Sequence, residues 1–499
     1  MLFNSFEFIF FFLPILVGAV WLSHHLAPAA AAITMLAGSL AFYAYWDPTA
    51  LFLLLVSIIA NFALGRRIHA SGSLGLLWGG IAVNLGWLAY FKYRYFLAGA
   101  FVDVDPAVRA SLVIPLGVSF YTLHQISFLV DCRRQRFRRP DSLTDYALYV
   151  SFFPQLIAGP IVRYSEVAPQ FHQCGAFALR WRDVAIALSM FAIGLFKKEI
   201  FADTFGTLAT PTFNQAAAGQ PIGLVEGWLA AVFYTLQIYF DFSAYSDMAI
   251  GLARLFGIRL PLNFNSPLRS TSMIEFWRRW HITLSRFLRD YVFMPLMFAL
   301  GGQRGGTIRR HLVMSASLFV LMLLCGIWHG ADWTFVLWGA IHGVLLVANH
   351  LARAWLGPPG RRPPVALSAA KWLGTFILIT TTLVLFRSDS LGQAGAMLQA
   401  MFGMDGRLSL AADLQTVLAA KSKLAWLAAG MVTALALPNV PSLMRRYRPV
   451  VDFHREAYDR WSLLPDWRPT VAWAVAASIL FLAGIATFGD TSQFIYWQF

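Results

Sequence analysis

Apolar stretches of roughly membrane-crossing length recur along this chain, and their spacing constrains its fold more than any other feature. They read as 6–23, 27–46, 50–65, 73–92, 111–130, 184–202, 222–245, 311–328, 334–351, 370–387, 422–438 and 469–488. A helix needs about 20 apolar residues to cross a bilayer, and lipid cannot satisfy an open backbone. The pattern predicts an all-α, polytopic transmembrane fold of roughly 11–13 spanning helices, with re-entrant and interfacial helices added. The stretch 50–65 is short and predicts a tilted or partly buried helix. The segment 145–162 contains Pro154, Gly159 and Pro160. It predicts a re-entrant or broken helix, which survives only inside protein or beside a wet cavity. Hydrophobic residues make up 58% of the chain and charged residues 13%, which excludes a string of soluble domains.

The net charge of +14 resides in short runs between apolar stretches, such as Arg66–Arg67, Arg133–Arg139, Arg278–Arg289 and Arg445–Arg448. Such runs set topology and meet anionic membrane lipids. No basic soluble module is long enough to bind nucleic acid. The runs after the third and fifth stretches read as cytoplasmic, which places the N-terminus on the other side of the membrane. Cys132, Cys174 and Cys325 are scattered and form neither a disulfide framework nor a cysteine metal cluster. The opening MLFNSFEFIFFFLPILVGAVWL lacks a basic leader and carries Glu7, so it reads as a retained first span. Residues 1–499 read as one integral-membrane domain, with N-terminal helices to 110, a core over 111–351 and C-terminal helices from 352.

Three histidines stand out against this background. His329 and His342 lie in LCGIWHGADWTFVLWGAIHG (324–343), and His281 lies 48 residues before His329 in FWRRWHITLSRFLRDY. An ionisable side chain in an apolar span marks a functional site unless a partner satisfies it. Around His329, Gly326, Gly330 and Gly339 allow close approach of another backbone or a substrate. Asp332, three residues on, stands where a carboxylate orients an imidazole, and Trp328, Trp333 and Trp338 offer a flat apolar wall. A neutral imidazole shut away from water accepts a proton from a hydroxyl. His342 lacks such company and reads as structural. No paired His or carboxylate spacing suits a metal ion.

Over 272–291, Trp277, His281, Leu284 and Leu288 share one helical face, while Arg278, Arg279, Arg286 and Arg289 spread around the rest. The segment predicts an amphipathic helix lying flat at the interface. In YTLQIYFDFSAYSD (234–247), Gln237, Asp241 and Tyr245 mark either a polar stripe lining a cavity or a structural network. Walker, GxSxG and GxGxxG motifs are absent.

Together these motifs resemble the membrane-bound O-acyltransferases (MBOAT). FWRRWHITLSRFLRDYVFMPL followed by GIWHGADWTFVLWGAIHG carries the likeness. IPLGVSFYTLHQISFLVD, FFPQLIAGPIVRYSE, GLFKKEIFAD, YTLQIYFDFSAYSDMAIGLARLFGIRLPLNFNSP and the terminal FIYWQF are similar to the bacterial polysaccharide branch.

The resemblance implies that the family's essential histidine is His329 and its second motif position His281. It implies a ring of helices around a thinned centre, where a cytoplasmic donor tunnel meets an outward funnel. No bound cofactor is implied; the donor is an acyl thioester, acetyl-CoA, whose phosphates either Arg133–Arg139 or Arg278–Arg289, with Arg278 and Arg279 among them, would meet from the cytoplasmic side. The acyl group passes to exopolysaccharide hydroxyls such as those of alginate or cellulose, through a periplasmic acyltransferase partner and the polysaccharide biosynthesis machinery. The location implied is the bacterial inner membrane. D-alanyl transfer to teichoic acid is the alternative within the family. Outside it stand a transporter with a histidine proton relay and a scaffold that only recruits a soluble acyltransferase.

Overall fold

The computed structural model describes residues 1–99, 115–137, 142–173, 175–302, 306–356, 364–404, 421–451, 464–488 and 494–495. Arg138, Arg139, Cys174, Arg361, Arg362 and the last four residues of FIYWQF lie outside them. The described residues form helices α1 (Leu13–Leu26), α2 (Pro28–Ala44), α3 (Pro48–Ser71), α4 (Leu74–Leu88), α5 (Val118–Arg133), α6 (Leu143–Ser151), α7 (Trp181–Phe196), α8 (Asp203–Ala217) and α9 (Leu224–Leu255). The second half carries α10 (Met273–Arg279), α11 (Ile282–Leu288), α12 (Thr307–His329), α13 (Trp333–Leu356), α14 (Val365–Arg387), α15 (Leu391–Met401), α16 (Lys421–Ala436) and α17 (Val471–Ala486). Each apolar stretch read from the sequence coincides with one of these.

Six helical segments among the described residues are long and apolar enough to cross a membrane: Glu7–Leu26, Pro48–Ser71, Leu74–Ala98, Thr307–His329, Trp333–Leu356 and Val365–Arg387. Helices α2 and α17 are apolar but shorter. Helices α5, α7 and α9 are inner helices whose polar residues are mostly buried against protein, whereas α16 buries only Gly430 and Ala434. Helix α9, 32 residues and about 48 Å long, is the central one, with α7, α8 and α14 packed along it. Helix α3 corrects the short 50–65 reading. It runs 24 residues, continuing through Arg66, Arg67 and His69 to Gly72, whose φ of 63° ends it, with polar Asn61 buried on its inner side. There Asn61 Nδ2 donates to Gln125 Oε1 at 3.1 Å and Asn84 Nδ2 to Asn61 Oδ1 at 2.7 Å, tying α3, α4 and α5 together.

The broken segment is built as expected. Helix α6 stops at Ser151, one turn follows over Phe153–Leu156, and the chain runs on in extended form to Arg163. Its freed backbone groups are answered by side chains. Phe153 N–H donates to Ser39 Oγ at 3.2 Å, Ile161 N–H to Thr283 Oγ1 at 3.0 Å, and Gln155 Nε2 to the Tyr149 carbonyl at 2.7 Å.

The segment 272–291 is not one helix. Helix α10 ends at Arg279, Trp280 is extended, and His281 takes φ 40° and ψ 54° before α11 begins. The cause lies upstream, where residues 263–265 run beside the break. Asn265 N–H donates to the Arg279 carbonyl and Ile282 N–H to that of Asn263, both at 2.9 Å.

Candidate functional site

His329 closes α12, and the chain turns at Gly330 into α13. The two helices meet at glycines: a Cβ on Gly326 would lie 2.3 Å from the Phe335 carbonyl oxygen, and one on Gly339 would lie 2.5 Å from that of Met322. Gly330 likewise sits where a Cβ would strike the Phe335 ring. This close approach places His329, 5% exposed, among three aromatic rings. Its ring centroid lies 5.0 Å from Trp328, 5.4 Å from Trp338 and 5.2 Å from Phe386, each edge to face.

The end of α12 is held by a residue that sequence reasoning passed over. Lys92 Nζ donates to the carbonyls of Trp328 at 2.6 Å and His329 at 3.0 Å, and the Tyr93 hydroxyl donates to Ile327 at 2.7 Å. A cation on the last carbonyls of a helix opposes the negative end of its dipole. The signal was present: Lys92 is a charged residue inside an apolar stretch. It stands at the very end of the stretch 73–92.

His281 is buried, with its Nδ1 2.9 Å from Asn263 Oδ1. The Thr283 N–H donates to Asn263 Oδ1 at 3.4 Å, which makes Oδ1 an acceptor, and Asn263 Nδ2 meets Ser246 Oγ at 3.0 Å. The imidazole therefore carries its proton on Nδ1, and Nε2 is the basic nitrogen. Trp328 lies between the two histidines, 6.4 Å from His281 by ring centroid.

His342 has both nitrogens occupied. Trp277 Nε1 donates to Nδ1 at 3.2 Å, and Nε2 lies 3.0 Å from Thr382 Oγ1, which itself donates to the Ile379 carbonyl.

The other sequence-predicted residues divide. Trp333 is 61% exposed and packs on Phe96, so the wall beside His329 consists of Trp328 and Trp338 without it, because α13 begins only at 333 and turns that side chain outward. Asp332 accepts from the Thr334 N–H at 3.0 Å and caps α13. Arg278 is exposed, while Arg279 pairs with Glu275 at 3.0 Å and donates to the Asn265 carbonyl. Asp241 accepts from Lys198 at 2.9 Å and from the Ile495 N–H at 3.0 Å, and Tyr245 stacks on Phe3: both belong to a structural network. Gln237 alone of that stripe lines a cavity.

Three cavities converge here. A small one of about 20 Å³, room for one water, is bounded by His329, Trp338, His342 and Phe386. An apolar cavity of about 540 Å³ reaches Trp328 and Cys325 at one end and Arg133, Arg134 and Tyr291 at the other. A polar cavity of about 1100 Å³ reaches Phe386 and Phe335 from the other direction. Near the arginine-rimmed cavity, Asp290 pairs with Arg163, and Glu166 with Arg286. Partial burial opposes the Asp290 charge, but Arg289 and Arg163 hold its carboxyl below the usual carboxylate range. Among the described residues no three His, Cys, Asp or Glu side chains converge on a metal site.

The chain is a polytopic helical membrane protein with a buried imidazole, His329, on a small cavity, and the neighbouring rings of Trp328 and Phe386 reach the two larger ones. The family model for MBOAT, membrane-bound O-acyltransferase family, matches residues 71–387. The chain belongs to this family and is a multi-pass membrane O-acyltransferase. It is 36% identical to the "Peptidoglycan O-acetyltransferase" of Helicobacter pylori, over 81% of this chain and 80% of that protein. It is 34% identical to the "Probable alginate O-acetylase AlgI" of Pseudomonas putida over the full length of both. The "Teichoic acid D-alanyltransferase" of Streptococcus thermophilus is 28% identical over 60% of this chain and 74% of that protein.

Proposed function

We propose that this protein moves an acetyl group from acetyl-CoA, taken from the cytoplasm, to a carbohydrate hydroxyl beyond the bacterial inner membrane, serving O-acetylation of an exopolysaccharide. It does so alongside the polysaccharide biosynthesis machinery and a periplasmic acyltransferase partner. Supporting this, relatives sharing a third of the sequence are named as acetylases of alginate and peptidoglycan. One observation carries the reading: Trp328 faces the arginine-rimmed cavity, its neighbour His329 the small central one, and Phe386 both that one and the polar cavity.

The apolar cavity suits the pantetheine arm and acyl chain of a thioester, with Arg133 and Arg134 placed for the donor's phosphates. His329 takes the proton of the acceptor hydroxyl as its oxygen attacks the thioester carbonyl. The C–O bond forms, the C–S bond breaks, and the proton passes to the departing thiolate. The developing oxyanion needs an N–H donor. Trp338 Nε1 is buried, bounds the same cavity as His329, and has no hydrogen-bond partner among the described residues. His281, protonated on Nδ1 toward Asn263, offers Nε2 as an acceptor that orients an incoming hydroxyl or thiol.

The test is acetyl-CoA turnover by the purified protein. His329→Ala should lower it by roughly 10²–10⁴-fold while the protein still elutes as a monodisperse particle. Retained turnover would overturn the reading. A carrier-bound D-alanyl thioester used in preference to acetyl-CoA would move the protein to the teichoic acid branch.

A further inference from the structure

A fourth cavity, of about 390 Å³, stands apart from the three around His329 and shares no wall residue with them. Two loops build it. Gly175 and Gly257 take φ of 94° and 76°, and they pack so closely that a Cβ on Gly257 would lie 2.7 Å from the Gly175 carbonyl oxygen. The Phe177 N–H donates to the Phe256 carbonyl at 2.9 Å and ties the loops together. The Arg180 guanidinium lies over Gly175, in space that a side chain there would fill. Gln170 clamps the Arg259 backbone: its Oε1 accepts from the Arg259 N–H at 2.9 Å, and its Nε2 donates to the Arg259 carbonyl at 3.0 Å.

The charge of this cavity is positive. Arg180, Arg182, Arg254 and Arg259 line it, against the carboxylates of Glu166 and Asp183. Both acids are already engaged. Asp183 holds Arg254 at 2.7 Å, each side chain 4% exposed, and Glu166 pairs with Arg286 from outside the cavity. Arg182 is exposed and Arg259 partly so, which leaves both open to a ligand. Guanidinium groups that share one concavity bind phosphate oxygens in pairs. Helix α7 begins between Arg180 and Arg182 and adds the positive end of its dipole.

The surroundings suit a lipid. Trp181, between two of the arginines, is 88% exposed, and Leu188, two turns further on the same face of α7, is 57% exposed. An indole at the start of an apolar helix favours the bilayer interface, and the stripe beyond it offers acyl chains an apolar face. Glu166 reaches Arg286, and Arg163 reaches Asp290, whose carbonyl accepts from Arg134 at 3.3 Å. The cavity therefore lies on the same side of the protein as the arginine rim, the side that the distribution of basic runs turns toward the cytoplasm and its anionic lipids.

We propose that this cavity binds the phosphate of an anionic phospholipid. Arg182 and Arg259 hold the headgroup, Trp181 stands beside the glycerol, and the acyl chains follow α7. A soluble phosphate compound shares the headgroup chemistry but makes no use of the apolar stripe.

The test uses the whole protein, delipidated in detergent, with dioctanoyl phosphatidylglycerol, dioctanoyl phosphatidylcholine and inorganic phosphate as probes and native mass spectrometry as the readout. Phosphatidylglycerol should bind about tenfold or more tightly than phosphatidylcholine, and an equal concentration of inorganic phosphate should not displace it. The Arg182→Gln, Arg259→Gln double variant should erase that preference. Arg309→Gln, Arg310→Gln, at two exposed arginines in the first turn of α12, should keep it. Arg182→Gln alone alters only an exposed side chain, so the fold survives it, and phosphatidylglycerol binding should weaken about fivefold. Equal binding of the two lipids, or a preference unmoved in the double variant, would overturn the inference. Displacement by inorganic phosphate would make the occupant a soluble phosphate compound, and displacement by acetyl-CoA would give the cavity to the donor; either would overturn it as well.

Discussion

The ammonium nitrogen of Lys92 lies 3.0 Å from the carbonyl oxygen of His329, joining residues 237 positions apart. The same nitrogen reaches Trp328 O at 2.6 Å, so the last turn of α12 and the imidazole on it are held from outside the helix. A buried ammonium costs several kcal/mol unless acceptors surround it, and these carbonyls are such acceptors. Lys92→Met removes the donor and leaves the carbonyls unanswered. Hydrogen bonds from a charged donor contribute about 1.5–3 kcal/mol, and the variant should lose about that much stability. Acyl transfer should fall by roughly tenfold or more through kcat, since a small misplacement of His329 suffices. Lys92→Arg keeps a cation with several donors and should restore most of the stability. Kinetics and thermal unfolding in detergent check both.

His342 predicts the opposite balance. Trp277 Nε1 donates to one of its nitrogens and Thr382 Oγ1 meets the other, so the ring is fully used in joining α10, α13 and α14. His342→Ala should destabilise the protein by about 2–4 kcal/mol, through the unanswered indole N–H and the space vacated. Purified variant should keep measurable transfer, in contrast to His329→Ala. Complete loss of turnover in folded His342→Ala protein would give His342 a chemical role.

The helices themselves were legible because lipid and protein both demand closed backbone hydrogen bonding, which leaves helical periodicity in the sequence. The proline and glycine break at 145–162 was legible for the same reason. The break at His281 was not. Neither glycine nor proline stands at 279–282, and the left-handed residue is imposed by residues 263–265, which are remote in local pattern. That bend, rather than an amphipathic face, turns His281 inward. The absence of Trp333 from the aromatic wall has a similar cause: helical phase restarts after Gly330, and spacing from His329 cannot be carried across the turn. Spacing also made Asp332 a neighbour of the imidazole, whereas its carboxylate is occupied in capping α13. Asn263 and Phe386 carry no local mark and become visible only when the fold brings the loop before α10 and α14 to the histidines.

Asn263 predicts a tautomer effect. Its Oδ1 accepts from His281 Nδ1 at 2.9 Å and from Thr283 Oγ1 at 2.8 Å, and its Nδ2 donates to Ser246. Asn263→Leu removes the acceptor that keeps the proton on Nδ1, and it also removes the tie that holds the bend. Asn263→Asp keeps an acceptor for both partners. If Nε2 of His281 orients a reacting group, Asn263→Leu should lower kcat/KM by roughly tenfold, about 1.4 kcal/mol, and Asn263→Asp should lower it less. A ¹⁵N spectrum of labelled His281 reads the tautomer directly. Unchanged kinetics with a shifted tautomer would confine His281 to a structural part.

The glycine contact behind the site predicts a variant whose defect is geometric. A methyl on Gly326 would stand 2.3 Å from the Phe335 carbonyl oxygen and 2.8 Å from Gly339 Cα, both backbone atoms that cannot swing aside. Gly326→Ala must therefore push α12 and α13 apart at the level of His329. Overpacking of this kind costs about 1–3 kcal/mol, and the fold should survive it with a lowered unfolding temperature. Moving α13 carries Trp338 away from the His329 ring, so kcat should fall while the KM for the thioester, proposed to bind on the Trp328 side, changes little. Gly374, on a lipid-facing turn of α14 with nothing within 4 Å of its Cβ position, is the matched control. Gly374→Ala should leave both rate and unfolding temperature within error of the parent protein. A Gly326→Ala variant that matched it would mean that the helix contact does not position the imidazole.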